Sequence, residues 1–158
     1  MKTSNIRWGR AILAGVLTGL ICFFVGTAMY ASVNGVYERF GDLPYAKQVT
    51  SVPVYLLQMV VVGGLVLNTL WAIVYAIIQE GLPGQNKWQK GLAFGLVLIA
   101  IKVLPTAFNT WMQIAQPGVL VLIEMVNSAI NALVAGLLIA AFYGSPATVG
   151  QARKAHVG

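Results

Sequence analysis

The chain has 158 residues, of which 58% are hydrophobic and only 9% charged, with a mean hydropathy of +0.79. Soluble domains carry roughly 25% charged residues, so this composition excludes an ordinary soluble fold and indicates a membrane protein. The formal charge of +6 does not point to nucleic acid, because the basic residues gather at the ends of apolar stretches and no basic, aromatic-interleaved face exists.

Four nearly uncharged stretches follow one another: 11–30, 54–78, 91–111 and 118–143. As an α-helix each is long enough to cross a bilayer core, which takes about 20 residues at ~1.5 Å per residue. The rest of the sequence is too short for a separate soluble domain. The expected fold is therefore all-α, a single polytopic domain of four transmembrane helices spanning 1–158. A signal peptide is the competing reading of the first stretch, but its apolar run is long for a signal core and similar runs recur later, so a retained helix is preferred.

Charge placement predicts the topology. Lys2, Arg7, Arg10, Lys87, Lys90, Arg153 and Lys154 all fall on one side, opposed only by Glu80. On the other side Arg39 and Lys47 cancel Glu38 and Asp42 in a long loop, 31–53, and the connection between helices three and four is uncharged. The positive-inside rule then puts both termini in the cytoplasm. Tyr37, Phe40 and Tyr45 suit the long outer loop to the headgroup region, and Trp8, Trp88 and Trp111 suit helix ends for the same reason. Ligand gating or partner docking is a further role open to that loop.

Helix one carries Gly15, Gly19, Cys22 and Gly26 on one side, a small-residue seam of the kind that lets helix backbones approach closely in lipid. Helix two adds Gln58 and Thr69 on nearly one face, with Asn68 to one side. Helix three places Gly91, Gly95, Lys102, Thr106 and Asn109 together. Pro105 leaves the Ile101 carbonyl without its usual donor, which predicts a kink. Helix four carries a polar stripe, Glu124, Asn127, Ser128 and Asn131. Such groups need partners inside the bundle, because an unsatisfied polar group in hydrocarbon costs several kcal/mol. The stripe reads as interhelical glue or as the lining of a solute path.

Lys102 and Glu124 are the only acid and base within the spans. By helical rise Lys102 lies about 14 Å from the outer end of its helix and Glu124 about 10 Å from its own. The two depths nearly coincide, which predicts a buried ion pair; a neutral lysine is the alternative, since burial disfavours its charge.

Two parallel hairpin repeats are also expected. "RAILAGVL" at Arg10 sets beside "KGLAFGLV" at Lys90, and "LLQMV" at Leu56 beside "LIEMV" at Leu122. Helices two and four end alike, in "EGLPG" and "YGSPA", where Gly81 and Gly144 suit left-handed caps ahead of a helix-stopping proline. Met59 and Met125, at matching repeat positions, read as core filler.

Reactive chemistry is sparse. Cys22 is the only cysteine and His156 the only histidine, so no disulfide, dithiol redox pair or intramembrane histidine metal or haem site is expected. No catalytic residue, metal or cofactor is assigned, and the chain is not read as an enzyme.

The run "EGLPGQNKWQKGLAFGLVLIAIKVLP" from Glu80 resembles a pattern in small four-helix bacterial membrane proteins of uncharacterised function. That resemblance implies a bacterial inner-membrane location and carries no activity with it. Two functions are compatible with the residues. One is an accessory or structural subunit that packs in the bilayer with itself or with other membrane subunits. The other is a small oligomeric transporter or channel for protons or a polar solute, using Lys102 and Glu124.

Overall fold

The computed structural model describes residues 6–39, 57, 59–113 and 116–144. Those residues are helical apart from short connections, and four helices are long and apolar enough to cross a bilayer. Helix α1 spans Trp8–Glu38. Helix α2 begins with wide π turns, Met59–Val66, and continues as Leu67–Ile78. Helix α3 starts at Lys87–Leu98, widens through Ile99–Val103 and ends with Leu104–Gln113. Helix α4 spans Gly118–Tyr143.

Several expected helix ends move, α1 and α3 both starting earlier and ending later than 11–30 and 91–111. Helix α1 continues past Tyr30 to Glu38, so residues 31–38 belong to the helix and not to the outer loop. Helix α3 begins at Lys87, ahead of the expected Gly91, because the Asn86 side chain caps it by accepting from the Gln89 N–H at 2.9 Å. The Gln89 Oε1 in turn accepts from the Gln85 N–H at 2.7 Å, satisfying another donor ahead of the helix. After α2 the left-handed glycine is Gly84, with φ 125°, and not Gly81, whose N–H donates to the Ile78 carbonyl instead. Gly144 takes the expected left-handed form at φ 84°.

Helix α1 lies between α2 and α4, and α3 packs along α4. Both seams are built from missing side chains. A Cβ on Gly15 would run into the Thr69 backbone, and one on Gly19 into the Gly64 carbonyl. On the other seam, a Cβ on Gly91 would stand 2.8 Å from the Ala140 Cβ and one on Gly95 2.9 Å from the Leu133 Cα. Gly136 answers from α4, where a Cβ would lie 2.5 Å from the Gly91 carbonyl oxygen. Close backbone approach of this kind replaces the hydrophobic drive that lipid removes.

The core occupies the half of the bundle nearest the connection between α2 and α3. Tyr75, Phe94, Leu98, Ile139 and Tyr143 are buried there among Ala11, Ala14, Ala72, Ala76 and Ala140. The Tyr75 ring meets Phe94 at 5.2 Å and Tyr143 at 5.9 Å, both edge to face, the arrangement that ring quadrupoles favour. The same end is tied by the Arg7 N–H donating to the Tyr143 hydroxyl at 3.3 Å and by the Lys90 Nζ donating to the Gln79 carbonyl at 2.7 Å. In the other half α3 is loosely held, since Leu104–Gln113 contains no buried residue, although Leu120 and Val121 of α4 are buried there.

Both wide-turn segments have local causes. In α2, Gly63 and Gly64 are weak helix formers, and the Asn68 Nδ2 donates to both their carbonyls, at 3.2 and 2.9 Å. In α3, Pro105 brings no N–H, and the turn just before it widens so that the Leu104 N–H reaches back to the Ile99 carbonyl. The chain thus meets the proline with a π segment, a recognised alternative among the causes of helix distortion.

Candidate functional site

Lys102 lies inside the widened segment of α3. Together with Val103, Thr106, Ala107 and Thr110 it forms one wall of a cleft of about 80 Å³. Val121, Glu124, Met125 and Ser128 of α4 form the other wall. A water needs about 10–15 Å³ on this measure, so the space holds several waters or one small solute.

The two charges therefore share a site, but not as a buried pair. Both side chains are exposed on the single chain, and no salt bridge joins Lys102 to Glu124 or to any other described residue. The reason is the loose hold on this half of α3: beyond Val103 it touches its neighbours with too few residues to close over the lysine. Glu124 instead accepts a hydrogen bond from the Gln116 Nε2 at 3.0 Å.

Other expected polar residues separate into different tasks. Thr106 and Ser128 line the cleft, whereas Asn109 does not and Thr110 stands there in its place. A 3.6-residue repeat counted from Gly91 and Gly95 places Asn109 on their face, but the wide turn at Ile99–Val103 accommodates an extra residue and brings Thr110 there instead. Asn131 donates to the Cys22 carbonyl at 3.3 Å, tying α4 to α1. Thr69 packs at Gly15, away from the cleft, and Asn127 is half-buried beside it on the sequence but outside the lining. Gln58 falls outside the described residues, as do Phe40 and Tyr45 of the long loop.

The expected packing glycines all sit where helices meet, though the α1 stripe serves two neighbours. Gly15 and Gly19 face α2, while a Cβ on Gly26 would lie 3.1 Å from the Asn131 Nδ2 of α4. Sequence reading missed Gly136, whose signal was available as the small-residue series Ala132, Gly136, Ala140 at fourfold spacing. Among the described residues no three His, Cys, Asp or Glu side chains converge on a metal-sized site.

The fold and the site together define a helical protein whose four long apolar helices suit a multi-pass membrane protein, with a polar cleft between α3 and α4. No known protein family, curated protein or solved structure matches this chain.

Proposed function

We propose that the protein is a non-catalytic membrane subunit that completes its loosely held half by association within the bilayer, with itself or with a larger membrane complex. The observation that carries this reading is the exposure of Lys102 and Glu124 on the single chain. A lysine near the centre of a span costs roughly 2.5 kcal/mol or more in contact with lipid, so a neighbour that covers Lys102 and supplies it with an acid lowers the free energy of the assembled state. Only 22–28% of the residues in an apolar 18-residue stretch of each helix are buried within the chain, which leaves ample surface for such a neighbour.

In this reading both termini and the connection between α2 and α3 lie in the cytoplasm of a bacterial inner membrane, as the basic residues around that end favour. The two glycine-built seams, α1 on α2 and α3 on α4, support a parallel hairpin repeat. Purification from the native membrane in mild detergent, with mass measurement, tests the proposal. A stoichiometric assembly larger than the 16.9 kDa chain is expected; a stable, folded monomer would overturn it.

A second reading is favoured by the cleft itself. Its water-sized space reaches Glu124 and carries Thr106, Thr110 and Ser128 hydroxyls beside the two charges, which suits a path for protons or a small polar solute. Flux into proteoliposomes that is lost in Glu124→Gln would support this transport function, and identical flux in the variant would remove it.

A further inference from the structure

We propose that the neighbour is a second copy of this chain, and that Lys102 of each copy pairs with Glu124 of the other across a twofold axis along the membrane normal. This inference rests on the association reading above and gives it a partner and a contact.

The argument begins with a symmetry restriction. Two identical chains inserted with the same topology are related by a twofold axis perpendicular to the membrane plane. Rotation about such an axis leaves depth unchanged, so a residue of one copy meets only residues of equal depth in the other. In an isologous contact, if residue i touches residue j, then j also touches i. A lone mid-span lysine would meet its own positive image near the axis. An acid and a base at one depth, on adjacent helices of one open face, form two identical pairs instead.

The chain comes close to that arrangement, because the two groups line one cleft and any difference in their depth is within the reach of a lysine side chain. Lys102 on α3 and Glu124 on α4 line the same cleft, both are exposed, and neither is in a salt bridge with a described residue. The rims beside them are apolar, with Ile101, Leu104 and Phe108 on α3 and Leu122 and Val126 on α4 all exposed. Leu104–Gln113 has no buried residue, so the face has room for a partner helix at this depth. A different partner protein would need its own base and acid in the matching order, whereas a second copy carries both by construction.

The test uses two differently tagged full-length chains, one Lys102→Glu and one Glu124→Lys. Each variant alone places like charges across the axis, and its self-association is expected to fall about tenfold or more. Coexpressed, the two variants restore opposite charges in both pairs, and the mixed dimer is expected to co-purify at the wild-type level. A chain carrying both substitutions also self-associates. If the lysine and glutamate pair within one chain instead, the doubly substituted chain recovers but the mixture does not, and the inference falls.

Where the charge-reversed chains fail to insert, Lys102→Cys and Glu124→Cys chains in a Cys22→Ser background supply the second measurement. A short bismaleimide cross-linker that spans the reach of the two native side chains should give a mixed covalent dimer, because a direct disulfide needs Cα atoms closer than about 7 Å; no mixed product would overturn the contact. Wild-type chains that co-purify with another membrane protein but not with each other would sink the second-copy inference and leave the association reading standing. A folded monomer would end both.

Discussion

The Asn131 side chain on α4 donates to the Cys22 carbonyl of α1 at 3.3 Å, at the level where Gly26 leaves room for it. An amide thus spans two helices because the facing residue has no side chain. Interhelical hydrogen bonds in membranes contribute ~0.6 kcal/mol on average, so Asn131→Leu should lower stability by about that amount. Gly26→Val should cost more, because it displaces the amide and opens the seam together. Thermal unfolding in detergent gives the order, and an equal or reversed loss would count against the contact.

The glycine seams predict a sharper contrast. Gly95→Val builds atoms against the Leu133 backbone and should cost about 1–3 kcal/mol as an overpacked site. Gly35→Ala, at a position with open space within 4 Å, should be neutral or raise helix stability by up to ~1 kcal/mol. Denaturant titration of the two variants separates them, and similar losses at both positions would mean that the seam is not backbone-tight.

Replacing Pro105 returns an N–H to α3. In Pro105→Ala the segment Ile99–Val103 should relax toward ordinary α turns, rotating the face beyond it so that position 109 approaches the cleft and position 110 leaves it. Cysteine probes at 109 and 110 in a Cys22→Ser background, labelled with a water-soluble maleimide, report this as an exchange of relative reactivity. Unchanged labelling would show that the wide turn does not depend on the proline.

Cys22 itself is 5% exposed and packs beside the Asn131 contact. In the folded protein it should label with a bulky, water-soluble thiol reagent only through opening of the bundle. Labelling at the rate of a free thiol without denaturant would contradict its burial.

These sites were unevenly legible in the sequence. The spans and packing glycines follow from apolar length and fourfold spacing, both of which survive translation into three dimensions. The end of α1 did not, because Ser32, Asn34 and Glu38 resemble loop residues when no neighbour is visible. Asn109 was misplaced for a different reason: periodicity assumes one helical repeat, and the turn at Ile99–Val103 breaks it. Lys102 and Glu124 do line one cleft, but helical rise says nothing of how far α3 stands from its neighbours.

The Gly91, Gly95 and Gly136 seam also gives α3 unequal ends. One half is clamped backbone to backbone on α4, the other carries no buried residue, and the wide turn bearing Lys102 lies at the junction. Mechanically α3 is a beam clamped backbone to backbone at its foot and held at its far end by Trp111 over Gly118, with its charge between the two supports. A lateral load on Phe108, from lipid or from a docking helix, would be felt as bending at Lys102.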